Sequence, residues 1–535
     1  MLYFVPAWYQ QNKWRESEQS WHTRRMHTEF DDTVKQVQMF NRSGKRDFKI
    51  LLLSHTPNFR HFLHRQGVIH APYWSVFDAI QEVERKKASV FSFHNLDWPE
   101  HIEFVYTPFV VIAYLNHTKY AQINFGEAGN PIEVSMFKDG ALSRKNIYDD
   151  RGFVSSTEVY NNGDLVYTDF LTEKGIVKLR VYAETGAVEI NDASNTYLVF
   201  DGQKTHKRTF LRLFYKSIDD VVLEVLNANM MSCTSDDIFC VAMHPLNVKA
   251  MGEFIDRRCV LSFYQDRYRI INHPEARELV KKANYIITDS EATTRYLKRE
   301  MEEEIDNIID ISPYDSRMDF GISSQLTVQK ILVPVDNLSP ERFQELIIAL
   351  ATYIRTNENA MVHIFTRRAD FDLPEKLLHA IAGIVEQAGF DRRMVIQVEN
   401  DDLNGENESI GEETTQEVPV RFFVEQCVDE LSVSKCIREQ RIMVDMRHNP
   451  DLYLQINCIS SAIPQIVRRE TQYMKNGQNG FVVTEMDKIP TALDYFLGSL
   501  ANWNQAKVYS YDIAQKYTTK HLLEKWDDVI AKAER

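Results

Sequence analysis

Lys330-Ile-Leu-Val-Pro-Val335, running into Asp336-Asn-Leu-Ser-Pro340, decides the architecture of this chain. Consecutive apolar residues leave neither face of a strand for water, so the strand must be buried on both sides. A helical pattern follows. The same design recurs at Met361-Val-His-Ile-Phe365, Tyr285-Ile-Ile-Thr288 and Phe48-Lys-Ile-Leu-Leu-Leu53. Two-faced strands alternating with helices predict parallel sheets in α/β layers. Ser290 opens Glu291-Ala-Thr-Thr-Arg-Tyr-Leu-Lys298, where its hydroxyl can cap the first N–H groups of a helix.

A different pattern occupies residues 118–216. Phe153-Val-Ser-Ser-Thr-Glu-Val-Tyr160 alternates, Asn161-Asn-Gly163 turns, and Asp164-Leu-Val-Tyr-Thr-Asp-Phe170 alternates again. Val177–Tyr182, the turn Glu184-Thr-Gly186 and Ala187–Ile190 continue it. This is an antiparallel meander of hairpins. The expected organisation is a Rossmann-like domain split over residues 1–117 and 217–325, a β-sheet module at 118–216, and a second Rossmann-like domain at 326–510. A terminal helix at 511–535 is expected to pack back on the first domain. Asp401–Glu417 is acidic and poor in aromatics, which predicts a mobile loop.

The chain has 535 residues, enough for about three or four folded units. Its formal charge of −15 repels a phosphate backbone, which argues against nucleic acid as a partner. Six cysteines (Cys233, Cys240, Cys259, Cys427, Cys436, Cys458) include no CxxC pair and predict free thiols in a reducing compartment. The opening Met1–Tyr9 lacks the basic flank of a signal peptide, and no run of eighteen apolar residues occurs. These features predict a cytoplasmic protein with no transmembrane segment.

The stretch Asp445 to Val483 carries the most information about chemistry. It contains Ile463-Pro464 and Asn476-Gly-Gln-Asn-Gly-Phe-Val-Val483. It resembles the donor-site segment of retaining two-Rossmann (GT-B) glycosyltransferases: Glu, seven residues, Glu-Ala, Gly-x-Pro, Gly-Gly, a Glu, then Gly-x-Asn-Gly and an apolar strand. Such enzymes must stabilise a diphosphate leaving group. Counted from Pro464, Asn449 and Asn457 stand where the two glutamates belong, Arg468-Arg469 replace the paired glycines, and Gln472 replaces the last Glu. Gly477 and Gly480 keep the final turn. Asn retains an acceptor oxygen but no charge. The strand that leads into Gly-Arg-Leu in such enzymes leads here into Asp336-Asn337, and a carboxylate beside a diphosphate repels it. We therefore expect a degenerate donor pocket with no catalytic residue, cofactor or metal. Arg367, Arg368, Arg468 and Arg469 either hold phosphate in another arrangement or are solvated surface side chains.

His55, His61, His64 and His70 crowd the first domain without an evident ligand set. No Gly-x-Ser-x-Gly elbow and no P-loop occurs. Trp8, Trp14 and Trp21 lie close together in the opening segment and read equally as anchors for a protein partner or as core.

Tyr3-Phe-Val-Pro-Ala-Trp-Tyr9, Trp21, Glu29-Phe-Asp-Asp-Thr33 and Gln38-Met-Phe40 resemble the family of first accessory Sec system proteins. These belong to Gram-positive bacteria that export serine-rich-repeat glycoprotein adhesins. The resemblance implies a GT-B-type arrangement with an extended β-sheet insertion and no sugar transfer. It implies a complex with the second and third accessory secretory proteins and the accessory Sec ATPase, acting on the adhesin, peripheral to the membrane at the translocon. The alternatives are an active GT-B glycosyltransferase that modifies the adhesin, or a lectin-like glycan-binding module.

Overall fold

The apolar runs become the central strands of two parallel sheets. The computed structural model describes residues 1–16, 31–44, 46–89, 91–126, 129–201, 204–301, 305–396 and 418–533. The chain divides into two compact units: residues 1–313 with 526–535, and residues 314–525.

In the first unit, Leu2–Val5, Phe48–Leu52, Tyr73–Ser75, Ile238–Ala242, Arg258–Phe263, Tyr285–Thr288 and Ile308–Asp310 form a seven-stranded sheet. All neighbours are parallel. Numbered along the chain, the strands lie in the order 7-6-5-4-1-2-3. In the second unit, Gln329–Pro334, Ala360–Thr366, Phe422–Gln426, Ile442–Asp445, Gln465–Val467 and Gly480–Val482 form a six-stranded parallel sheet in the order 3-2-1-4-5-6. Both orders are those of doubly wound Rossmann-like sheets, so the α/β reading holds for both units.

Helix starts follow local chemistry. Pro340–Thr356 begins with Ser339 accepting from the Arg342 N–H, and Pro340 stands at its first position, where no N–H is required. Ser290 accepts from the Thr293 N–H, as its place before the helix Glu291–Glu300 implies.

The antiparallel meander is a ten-stranded sheet in the first unit, from Glu103–Tyr106 at one edge to Phe214–Tyr215 at the other. It starts ahead of residue 118 because Glu103–Tyr106 and Val110–Leu115 are joined by Thr107-Pro108-Phe109, a turn with no Gly or Asn to mark it. Residues Thr196–Asp201 and Lys204–Thr209 leave the meander as a separate hairpin. At the Asn161-Asn162-Gly163 turn, Asn162 and Gly163 both take positive φ (49° and 91°), as a two-residue hairpin requires.

Arg151 ties this sheet to the parallel one. Buried in the turn after Ala141–Asp149, its guanidinium donates to both oxygens of Asp149 (2.7 and 2.8 Å). It also donates to both oxygens of Asp78 (2.9 and 2.8 Å) in the helix Val76–Ile80. The next residue, Gly152, has φ +89°, and a Cβ there would lie 2.2 Å from the Ser89 carbonyl oxygen. Only glycine permits that approach. The six cysteines are free. The acidic segment 401–417 lies outside the described residues.

The last helix, Thr519–Ala533, contributes Trp526 to the first unit. Its indole is buried edge-on against Phe40 (5.5 Å) and Phe4 (6.1 Å). Removing so large a buried side chain leaves a cavity, so Trp526→Ala should destabilise the first unit by about 3–5 kcal/mol. The indole Nε1 has no hydrogen-bond partner among the described residues. Trp526→Phe relieves that buried donor and should cost far less. Urea unfolding followed by far-UV circular dichroism checks both.

Candidate functional site

In open α/β sheets, ligands bind outside the carboxyl ends of the strands where the strand order reverses. Each unit has one such place, beyond its first and fourth strands.

In the second unit the place is lined by Val335–Asn337 and Met446–Asp451. Asp336 accepts from the Thr366 hydroxyl (2.6 Å) and from the Arg367 N–H (2.8 Å), binding the end of the first strand to the end of the second. Asp445 and Arg447 form a buried bidentate pair (2.8 and 2.7 Å). Burial alone would lower the Arg447 pKa, but Asp445, with smaller contributions from Asp451 and Asp336, raises it above the usual value. Asp451 caps the helix Leu452–Ser460 by accepting from the Tyr453 and Leu454 N–H groups. The same carboxylate lies 2.7 Å from Arg367 Nε, and the Arg367 guanidinium sits over the Tyr453 ring at 5.4 Å. Three carboxylates (Asp336, Asp445, Asp451) thus face two guanidiniums (Arg367, Arg447). The helix N-terminus, a natural anion site, is taken by the chain's own anion.

The residues expected in a donor pocket are dispersed. Asn449 Oδ1 accepts from Arg469 (3.3 Å) at the surface. Asn457 donates back to the Tyr453 carbonyl of its own helix (2.8 Å). Gln472 is buried, and its carbonyl accepts from the Tyr517 hydroxyl (3.4 Å). Arg468 is half-buried, and Arg368 pairs with Asp370 at the surface. Gly477 takes φ +75° in the turn, with its N–H donating to the Gly480 carbonyl. A Cβ on Gly480 would lie 2.0 Å from the Gln465 carbonyl oxygen. Both glycines serve the turn and the edge strand Gly480–Val482. The polar and aromatic groups that the structure brings to this place are Thr366, Asp445, Arg447, Asp451 and Tyr453. Of these, Asp451 alone had a sequence signal, as an N-cap before Leu-Tyr-Leu.

In the first unit, aromatic side chains occupy the corresponding place. The Tyr9 hydroxyl donates to Asn247 Oδ1 (2.6 Å). The Asn247 amide donates to the Ala242 and Pro6 carbonyls (2.7 and 3.2 Å), tying the first and fourth strand ends together. Trp14 packs edge-on against Tyr9 (5.6 Å) and donates to Asp219 (2.6 Å). Trp8 packs on Phe62 (4.8 Å) and donates to Asp31 (3.0 Å). Trp8 and Trp14 are each 5% exposed, so neither presents an open indole face. Trp21 lies outside the described residues. Arg267 bridges Asp31 and Asp32 (3.0 and 2.6 Å), and Ser262 donates to Asp32 (2.6 Å). No group of three or more His, Cys, Asp or Glu that could hold a metal ion occurs among the described residues.

The family model of the first accessory Sec system protein matches residues 1–533. The first accessory Sec system protein of Streptococcus gordonii is 29% identical over 542 aligned residues, covering 100% of this chain and 99% of that protein. A chain of the glycosylation-associated protein (Gap123) complex from Streptococcus agalactiae superposes with a TM-score of 0.79 at 28% identity, covering 99% of this chain and 100% of that one. The pneumococcal O-GlcNAc transferase GtfA, solved with UDP and GlcNAc, superposes with a TM-score of 0.67 at 12% identity over 99% of this chain and 98% of that one. This last likeness is one of fold.

His55, buried, and His244, half-buried, each lower the stability of the first unit as pH falls. Burial, then the charges of Arg15 and Arg151, hold His55 down to about 3. Burial, then Arg267, holds His244 down to about 4. Unfolded, both take up protons near pH 6.5. Their contribution is therefore complete above pH 6.5 and is lost as pH falls towards the folded values. For His55 the slope is about 1.4 kcal/mol per pH unit. Asp149, Asp150 and Asp289, each raised to about 6 chiefly by burial, act in the opposite sense. The histidine effect is thus read as a difference between variants. His244 Nδ1 caps the helix Pro245–Lys249, and Asn is an equally good cap. The stability of His244→Asn should fall less than that of the unsubstituted chain between pH 7 and 5, measured by urea midpoints.

Proposed function

The chain belongs to the family of first accessory Sec system proteins, and from that premise we propose that it is a non-catalytic component of the accessory Sec export machinery. In this reading a glycosyltransferase frame is kept as a scaffold and sugar transfer is lost.

One observation carries the reading. In the second unit Asp451 already engages Arg367 and the N-terminus of the helix Leu452–Ser460, while Asp336 is spent on Thr366 and the Arg367 N–H. A sugar-nucleotide transferase needs preorganised positive groups at the diphosphate. Here carboxylates outnumber guanidiniums, and every one of these charges has an internal partner. Rebuilding a donor site would require breaking ion pairs before any ligand contact formed. Asn449 and Asn457, where the family of active enzymes carries glutamates, make their bonds to Arg469 and to the Tyr453 carbonyl.

The proposed partners are the second and third accessory secretory proteins. Support comes from the 28% identical chain in the Gap123 complex. By family resemblance the accessory Sec ATPase and a serine-rich-repeat adhesin complete the proposed assembly. No helix among the described residues is long and apolar enough to cross a membrane, so contact with a translocon is proposed to be peripheral.

Isothermal titration with UDP-GlcNAc and UDP-glucose should give no saturable heat up to millimolar ligand, an interaction weaker than about 4 kcal/mol. Co-expression with the second and third accessory proteins should yield a stoichiometric complex on gel filtration. Micromolar donor binding, together with sugar transfer to an adhesin peptide, would sink the proposal.

A further inference from the structure

The strand Glu103–Tyr106 ends the ten-stranded sheet and pairs only with Val110–Leu115 among the described residues. The Thr107 N–H donates to the Val110 carbonyl (3.0 Å). Alternation in an antiparallel ladder then turns the backbone groups of Glu103 and Val105 towards Val110–Leu115, and those of Phe104 and Tyr106 outward. Natural edge strands are usually blunted by lysine, proline, a bulge or a cover. This one has none of the first three. Its register with Val110–Leu115 runs without a bulge, and its side chains include 47% exposed Val105 and 63% exposed Tyr106. Phe109, in the adjoining turn, is 55% exposed. A cavity of about 400 Å³ opens there, lined by Thr107, Pro108, Phe109, Phe125, Gly126 and Gly129.

The edge is firmly built. Beneath it Phe93, Val111, Ala113, Ile123 and Val134 form a core separate from the main one. Trp98 donates to the Phe93 carbonyl (2.7 Å) and packs edge-on against Phe104 (5.5 Å). A rigid edge spares a docking segment the entropy of ordering its template.

Charge identifies the occupant. Residues 91–118 contain no Lys or Arg, and Asp97, Glu100 and Glu103 are all exposed. A second copy pairing through this edge would add further carboxylates and no Lys or Arg to neutralise them, which is unfavourable. We propose that Glu103–Tyr106 docks an extended polypeptide segment of a partner protein as a further strand, one with Lys or Arg flanking alternate apolar residues. The outward groups of Phe104 and Tyr106 supply the main-chain bonds, exposed Val105 and Tyr106 meet the apolar side chains of the segment, and Glu100 and Glu103 meet its basic flanks. This goes beyond the export role and does not depend on it.

The test uses the full chain and two fluorescein-labelled peptides, Lys-Val-Thr-Val-Thr-Val-Lys and the same sequence with Glu at both ends, followed by anisotropy at low salt. The lysine peptide should bind at least tenfold tighter than the glutamate peptide, and Glu100→Lys with Glu103→Lys should reverse that order. Tyr106→Pro removes an outward N–H without touching the ladder to Val110–Leu115. It should weaken the lysine peptide at least tenfold, whereas Tyr106→Ala, which loses the same contacts with His94 and Phe93 but keeps the N–H, should weaken it far less. Hydrogen exchange at Phe104 and Tyr106 should slow on binding. Equal affinity for the two peptides, no binding of either, indifference to the charge reversal, or self-association of the chain that Tyr106→Pro abolishes would each overturn the proposal.

Discussion

A parallel sheet must be covered on both faces, and its helices then leave all the carboxyl ends of its strands along one margin. At the point where the strand order reverses, that margin opens into a polar crevice. Everything distinctive about this chain follows from how the crevices are filled. In the second unit, ion pairs close it: Arg447 with Asp445, and Arg367 with Asp451. In the first, Tyr9, Asn247 and the surrounding tryptophans close it. Both solutions pair the polar groups of the crevice within the chain itself.

The attached antiparallel sheet obeys a different constraint. It has its own small core at its outer end and a strong electrostatic joint at its root, beside which buried Lys178 also pairs with Glu82. The joint, Arg151 between Asp78 and Asp149, is of the kind whose disruption leaves an uncompensated buried charge and costs about 3–5 kcal/mol. Register in the sheet and its placement on the parallel sheet are therefore fixed by separate interactions.

The legible parts of the sequence were those governed by local periodicity. Ile331 to Val333 and Ile286 to Ile287 are fully or nearly fully buried strand residues, as their uninterrupted apolar runs require. The Asn162-Gly163 turn likewise declares its φ values. The crevice was less legible because its bonds join residues far apart or of unremarkable type. Asn457 sits at a position that suggested a ligand group, yet its amide returns to its own helix, an option open to any Asn in a helix and invisible in spacing. Trp8 and Trp14 could be read as exposed anchors or core until the third dimension placed Phe62 and Tyr9 against them. The start of the meander was missed at Glu103 because Thr107-Pro108-Phe109 turns without a glycine.

The position of Trp526 sets a schedule for synthesis. Domains ordinarily complete their folding in the order they leave the ribosome. Here the first unit awaits Trp526, whereas residues 314–525 have all been made before it. The later unit can finish first, and the earlier one reaches its final packing only once Trp526 has been made. Until then Phe4 and Phe40 lack their partner, and a chain cut short before Trp526 would be damaged in a unit whose strands were made long before the cut.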